Sequence, residues 1–323
     1  MNRFHRFFLA LFFALNLGLL IPPLHAQDRL SHDLLTRLSA LSPDMVRDIN
    51  KMYHIDISIR DAYGFAKPDL ATIAQLKTEA DQRLEQIRTR IQDAAYREWL
   101  RSYLSAFVKN EIQVPSLPLP TKNFSFLGTE DLTPQIPFEF VLDLTLGIDV
   151  LVEHKVNASL YSSEHTIWHY QNRSSFPSST ITMLREHLGV LDLEPHQTLY
   201  DLGAGHGRMI LIAAILHPES TLKGVELVEE RCDSLRRSID ALGLNNLQVI
   251  HSDVLDVDFS DGDWFYLYYP FPKLTAEISA RLDRLATKKN IRVSGNSGVL
   301  FNECRTLISR MTSATPWILM QPQ

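Results

Sequence analysis

The sequence predicts an α/β protein with a doubly wound, mostly parallel sheet, flanking helices and a preceding helical N-terminal arm. Three observations carry this. Residues 198–207, TLYDLGAGHG, join an apolar run to three alternate glycines and then to a strong helix former at 208–216. From there onward, short apolar runs alternate with amphipathic helical patterns, the order of a parallel sheet covered on both faces. Before it, residues 28–110 keep a helical period almost throughout.

At the N-terminus Arg3, His5 and Arg6 precede an apolar run, Phe7 to Ile21, broken only by Asn16 and Gly18. Pro22, Pro23 and the small residue Ala26 follow, and polar sequence begins at Gln27. A basic flank, an apolar stretch of about 15 residues and a small residue describe a secretory signal. The stretch is short against the roughly 20 residues of a membrane span. Residues 1–26 are therefore expected to be a signal peptide cut after Ala26, or an uncleaved anchor giving membrane association. Either points to export, to the periplasm or to the inner membrane.

Residues 27–110 form the expected helical arm. Leu30, Leu34, Leu38 and Leu41 fall at helical spacing, and Ser42-Pro43-Asp44 and Lys67-Pro68-Asp69 are helix starts. From Leu70 the positions Ile73, Leu76, Ala80, Leu84, Ile87, Ile91, Ala94 and Ala95 mark one face, which Trp99, Tyr103 and Phe107 continue. Lys77, Glu79, Asp81, Arg83, Glu85, Arg88 and Arg90 read as the solvated face. One period over roughly 40 residues predicts a long helix or a helical hairpin packed on a partner surface. The arm is either a cap or an element for substrate recognition or dimerisation. VPSLPLP at 114–120, with Pro134 and Pro137, makes 111–136 a Pro-rich linker. Residues 137–323 are the remaining domain. In it, 138–152 fits both an alternating strand and a helical stripe. Residues 172–179 read as a loop leading into a helix at 180–188.

After the glycine stretch come a strand at 221–227, a helix at 229–242 ended by Gly243, and a strand at 247–253. A fourth strand at 264–269, a helix at 274–286, a fifth strand at 290–294 and a sixth at 316–320 complete the alternation. So short a C-terminal remainder predicts an abbreviated closing antiparallel hairpin. The chain has 323 residues, 45% of them hydrophobic and 22% charged, with a net charge of −6. That is an ordinary globular balance, and it predicts no nucleic-acid partner, which demands a basic face. Cys232 and Cys304 are expected as free buried thiols.

The chemistry is concentrated at the strand ends. Strand, glycine turn and helix bring backbone N–H groups and a helix N-terminus up to an anionic ligand. The glycines Gly203, Gly205 and Gly207 give GxGxG, not the GxGxxG of nicotinamide-binding folds, with Ala204 between the first two. Asp201 stands two residues earlier. A carboxylate there would repel a pyrophosphate but suits the α-ammonium of a methionine moiety. Glu226 at the second strand end can accept ribose hydroxyls, both of them in a bidentate arrangement. Asp253 at the third can take an adenine amino group, with the Val254 N–H reaching a ring nitrogen. His206 is read as a turn residue without a partner, with a base as its alternative. His165, Trp168 and His169 cluster without metal spacing, and no metal is predicted.

The stretch resembles motif I of class I S-adenosylmethionine-dependent methyltransferases, whose Rossmann-like fold implies S-adenosyl-L-methionine as cofactor and favours a helix at 138–152. With YLYYP at 266–270 and FPSS at 176–179, DLGAGHGR is similar to the seven-strand lysine methyltransferases of the ATP-synthase c subunit and the adenine nucleotide translocase. It also resembles their bacterial relatives and, more distantly, the non-SET histone lysine methyltransferases. That family has Pro-Thr-Pro where Pro177-Ser178-Ser179 stand, and an acid where His206 stands; Arg208 matches. The resemblance implies a loop contact to the cofactor from Ser178 and a protein lysine acceptor. Amide and adenine-amine methyltransferases carry Asn or Asp where this chain has Tyr268. Tyr268, Tyr269 and Phe271 are the candidate walls of an amine channel, where desolvation helps a lysine of pKa about 10.4 lose its proton. The alternatives are a small-molecule N- or O-methyltransferase and a non-catalytic exported protein with a degenerate Rossmann-like domain. An S-adenosylmethionine enzyme implies cytoplasmic access, against the direction of the N-terminus.

Overall fold

β1 (Thr198–Leu202) is buried at all five positions, as a strand covered on both faces must be. It pairs in parallel with β2 (Thr221–Glu226) on one side and β4 (Trp264–Leu267) on the other. β3 (Leu247–His251) lies beyond β2, and β5 (Arg292–Gly295) beyond β4. The antiparallel strands β6 (Ile308–Thr312) and β7 (Thr315–Met320) complete a seven-stranded sheet of order β3-β2-β1-β4-β5-β7-β6. This computed structural model describes residues 24–64, 70–112, 136–151, 181–268, 272–295, 308–312 and 315–320.

The architecture is the expected Rossmann-like one, with two departures at the level of elements. The closing hairpin is complete rather than abbreviated. Residues 308–312 carry too few alternations to read as a strand alone, and the neighbouring β7 supplies the ladder that defines them. Two strands also stop early. β3 ends at His251 and β4 at Leu267, so Asp253 and Tyr268 stand in the turns just past them.

The arm divides into α1 (Leu24–Leu41), α2 (Pro43–Gly64), α3 (Leu70–Ile91) and α4 (Ala94–Val108). Among the described residues no helix is long and apolar enough to cross a membrane. The 40-residue stripe is two helices because Asp93 caps the second: its Oδ1 accepts from the Ala95 and Tyr96 N–H groups at 2.8 and 3.0 Å. The restart shifts the phase, so Ala94 and Ala95 are exposed and Tyr96, Leu100 and Tyr103 take up the buried face. Arg88 departs as well. It is buried, not solvated, and its Nε donates to the Gly147 carbonyl at 3.0 Å.

α5 (Phe138–Thr145) makes the first part of 138–152 helical while 146–151 turn away from the helix, and α6 (Ile181–Gly189) comes next among the described residues. After the glycine turn, α7 (Arg208–Leu216) is buried at every position from Met209 to Ile215. α8 (Glu229–Leu242) ends at Gly243 in the left-handed region. α9 (Pro272–Ala286) covers the opposite face through Ile278 and Leu282, which pack with Tyr200, Val225 and Phe265.

A helix apolar all round needs cover on both sides. The sheet covers one side of α7 and the arm the other, so Leu34, Ile49, Leu84, Leu104 and Phe107 share one continuous core with Ile210, Leu211 and Tyr266. The N-terminal apolar run, 113–135, the loop with Ser178, the cluster of His165, Trp168 and His169, Tyr269, Phe271 and Cys304 lie outside the described residues. Cys232 is buried and free.

Candidate functional site

The carboxyl ends of β1 and β2 hold the site together through the main chain. The N–H groups of Gly203 and Ala204 donate to the Val225 carbonyl at 2.9 and 2.8 Å, and Gly207 N–H closes back on the Ala204 carbonyl at 2.8 Å. All three glycines have positive φ, +108°, +57° and +84°, which side chains other than hydrogen rarely adopt. Their surroundings differ. A Cβ on Gly203 or Gly205 would meet nothing within 4 Å, whereas one on Gly207 would lie 2.3 Å from Leu235 Cδ1. The first two glycines border an open cradle, and the third allows α7 and α8 to pack.

Asp201 is 2% exposed, and among the described residues its carboxylate accepts no hydrogen bond. Burial, and then the neighbouring charge of Glu226, push its pKa up to about 8. Two buried carboxylates side by side favour a cationic occupant. Glu226, 6% exposed, is the better satisfied of the two. Its Oε2 accepts from Gly205 N–H at 2.8 Å, and its Oε1 accepts from the Leu227 and Val228 N–H groups at 3.0 and 2.9 Å. Arg231 adds an ion pair at 3.5 Å.

The β3 end is tied to the same point. Ser252 N–H donates to the Glu226 carbonyl at 3.1 Å, and His251 Nε2 lies 3.0 Å from the Leu227 carbonyl. Asp253 Oδ1 accepts from Leu255 N–H at 2.9 Å, closing the turn that contains Val254. Arg281 of α9 fixes this turn by donating to the Val254 and Leu255 carbonyls at 3.2 and 2.8 Å, with its guanidinium 4.3 Å from the Phe259 ring centre. Nothing in the sequence marked Arg281 beyond its place in a helix. Leu227 and Leu255 keep 39% exposure each, apolar side chains beside the acids.

His206 is not partnerless, since it has an electrostatic or hydrogen-bond partner in the fold. Burial, with Arg231 and Arg208 adding like charge, lowers its pKa to about 3, so it is neutral at any physiological pH and a weak base. Arg208 instead forks onto Asp143 of α5, at 2.5 Å from Nε and 2.6 Å from Nη2.

Tyr268 is half-buried, and its hydroxyl reaches Met183 Sδ of α6 at 3.9 Å. Deeper in the strand Tyr266 is 2% exposed and meets the edge of His187, ring centres 5.1 Å apart. No local sequence pattern singles out His187. It is 1% exposed, its Nδ1 lies 2.5 Å from Ser294 Oγ, and its Nε2 has no hydrogen-bond partner among the described residues. Burial lowers its pKa to about 4. Among the described residues no group of acids, histidines and cysteines could hold a metal ion.

The Met183 sulfur is a weak acceptor, so losing the hydroxyl's contact with it in Tyr268→Phe is expected to change the melting temperature little. Tyr268→Ala removes a ring packed against the core and is expected to cost about 2–4 kcal/mol, half-burial placing it below the full core value. Thermal melts of both variants test this.

Comparison with known proteins agrees with this geometry. Residues 195–274, from just before β1 to the start of α9, match the family model described as a putative methyltransferase. The ribosomal RNA small subunit methyltransferase G of Psychrobacter sp. (strain PRwf-1) is 25% identical over 147 residues, 44% of this chain and 65% of its own length. The protein-L-isoaspartate O-methyltransferase of Methanothermobacter thermautotrophicus is 37% identical over 65 residues, 20% of this chain and 30% of its own. The chain thus spans less than two thirds of these curated relatives. An RNA methyltransferase from Salinibacter ruber, solved with S-adenosyl-L-homocysteine, is similar over 43% of this chain and 90% of its own at 19% identity, TM-score 0.37. Residues 195–274 thus match a methyltransferase family model within a Rossmann-like sheet of order β3-β2-β1-β4-β5-β7-β6.

Proposed function

We propose that the protein is an S-adenosylmethionine-dependent methyltransferase whose acceptor is an amine, foremost a protein lysine. The observation that carries the cofactor is the buried Asp201 carboxylate, which accepts no hydrogen bond from the described residues, beside an open cradle bordered by Gly203 and Gly205. An α-ammonium supplies the missing donors and the missing positive charge. Glu226 Oε2 accepts one N–H bond and keeps a lone pair for a ribose hydroxyl, while Oε1 is already filled by two. Asp253 and Val254 would take the adenine edge, with the exposed Leu227 and Leu255 against its faces. The bound sulfonium supplies an activated methyl group, and no acid is needed at the leaving sulfur.

The protein's remaining work is to exclude water and to hold a neutral amine in line, about 3–3.5 Å from the methyl. Tyr268, at the end of β4, stands where that amine enters this fold. Tyr269 and Phe271 are proposed beside it and Ser178 at the cofactor. A tyrosine at the position where amide and adenine-amine enzymes carry Asn or Asp supports an aliphatic amine. The net charge of −6 supports a protein or small molecule over a nucleic acid. Residues 1–26 are proposed as a signal or anchor.

Calorimetry with S-adenosylhomocysteine tests the cofactor, and labelling of a cell extract with methyl-tritiated cofactor tests the acceptor. The expected affinity is micromolar, and the expected label is on protein. Absence of heat with the wild type would end the enzyme reading, and label confined to small molecules would end the lysine reading.

The binding should also depend on pH with a definite sign. With its pKa pushed up to about 8 in the free protein, Asp201 holds a proton at pH 6 that the ammonium must displace. Affinity therefore rises with pH, up to about tenfold per unit, and levels off above about pH 8. The ligand-free fold has the opposite trend. A carboxyl raised above its ordinary 3.8 contributes stability fully present below about pH 4 and lost as pH rises through about 8. Asp201→Asn should flatten both profiles; a slope that persists in it assigns the titration elsewhere.

A further inference from the structure

The buried pair of Asp143 and Arg208 joins the arm to the cofactor turn. Arg208 is the first residue of α7, directly after Gly207. A cation there opposes the positive end of the helix dipole. The Asp143 carboxylate cancels that charge with two parallel bonds, at 2.5 and 2.6 Å. The side chains are only 11% and 12% exposed. A fork on a carboxylate fixes orientation as well as distance, which an ammonium cannot do.

Asp143 is itself held by the arm. α5 and its flanks receive Tyr96 Oη on the Thr145 carbonyl at 2.9 Å, Ser31 Oγ on the Ile136 carbonyl at 2.6 Å and Arg88 Nε on the Gly147 carbonyl at 3.0 Å. These donors come from α4, α1 and α3. On the other side, Gly207 N–H closes on Ala204 and Gly207 carbonyl accepts from Leu211 N–H, both at 2.8 Å, so turn and helix move together.

We infer that Asp143 is a positioning residue for the cofactor: through Arg208 it sets where the turn from Gly203 to Gly207 presents its N–H groups, and so couples the helical arm to cofactor affinity. This rests on the methyltransferase reading. Stability alone does not call for such a pair, since replacing both members of a buried ion pair with neutral groups is often neutral or stabilising.

The test uses the full chain, calorimetry with S-adenosylhomocysteine and thermal melts. Asp143→Asn takes the forked carboxylate from a buried guanidinium, with only the more distant charge of Glu139 acting on it from the same helix, and should lower both affinity and melting temperature. The double variant Asp143→Asn with Arg208→Gln removes both charges. Its melting temperature should return close to wild type while affinity stays about tenfold weaker or more. Arg208→Lys keeps the charge, loses the fork, and should also bind weakly at little change in melting temperature. A double variant that binds as tightly as wild type would overturn the inference and leave the cofactor reading standing. A wild type that gives no heat would overturn both.

Discussion

Gly205→Val should bind no S-adenosylhomocysteine measurable by calorimetry while remaining folded. At φ +57° the β-branched side chain costs about 1–3 kcal/mol of backbone strain. Its surroundings in the ligand-free protein are open, with nothing within 4 Å of the Cβ, so no packing penalty is added. The volume it occupies is the cradle itself. Gly207→Val should behave in the reverse manner. Strain at φ +84° is joined by collision with Leu235, a fully buried core residue of α8, 2.3 Å from the new Cβ. Strain and overpacking together cost about 2–6 kcal/mol, read as a lowered melting temperature. If Gly205→Val retains wild-type affinity, the cradle is not the cofactor's seat. Equal loss of stability in both variants would show instead that the whole turn is structural.

The second large effect is expected at Glu226. Truncation to Ala leaves the N–H groups of Gly205, Leu227 and Val228 without this acceptor and removes one ion-pair partner of Arg231. Each bond to a charged acceptor is worth about 1.5–3 kcal/mol, so affinity should fall at least about tenfold and the melting temperature should fall with it. A strand-end acid read from sequence looks dispensable to the fold. This one holds the turn that leads into α8 and latches the glycine turn. Glu226→Gln should not rescue it, because an amide nitrogen placed at Oε2 or Oε1 would face an N–H donor. Calorimetry and melts on the two variants check this; an unchanged melting temperature in Glu226→Ala would contradict the latch.

Which parts were legible follows from range along the chain. The β1 turn, α7 and the strands β2 to β5 are local patterns; Glu226 closes β2 as its spacing predicts, while Asp253 lies two residues past the end of β3. Asp143 and Arg88 could not be read this way. Arg88 sits among charged residues at solvated spacing, and only the approach of Gly147, 59 residues away, makes it interior. The partner of Arg208 lies 65 residues before it, with no local signal linking the two. One long-range clue was present. MILIAAIL at 209–216 is apolar on every face, which already required a second covering layer, and the helical arm supplies it. His187 was missed because one histidine in an amphipathic helix carries no pattern; its burial depends on β4 and β5.

That second layer has a consequence for synthesis. The arm leaves the ribosome before the sheet, and α7 follows roughly a hundred residues after α4 ends. At about 5–20 residues per second, the apolar stripe of α3 and α4 waits on the order of 5–20 seconds for its partner. In that interval Leu84, Ile87, Leu100 and Leu104 face water or a chaperone. Folding cannot finish domain by domain, because the core is closed only when the last-made strands have ordered the sheet beneath α7. A ribosome-bound chain arrested near residue 190 should therefore bind a hydrophobic-cleft holdase such as a trigger-factor-type chaperone, and one arrested after the sheet has emerged should release it.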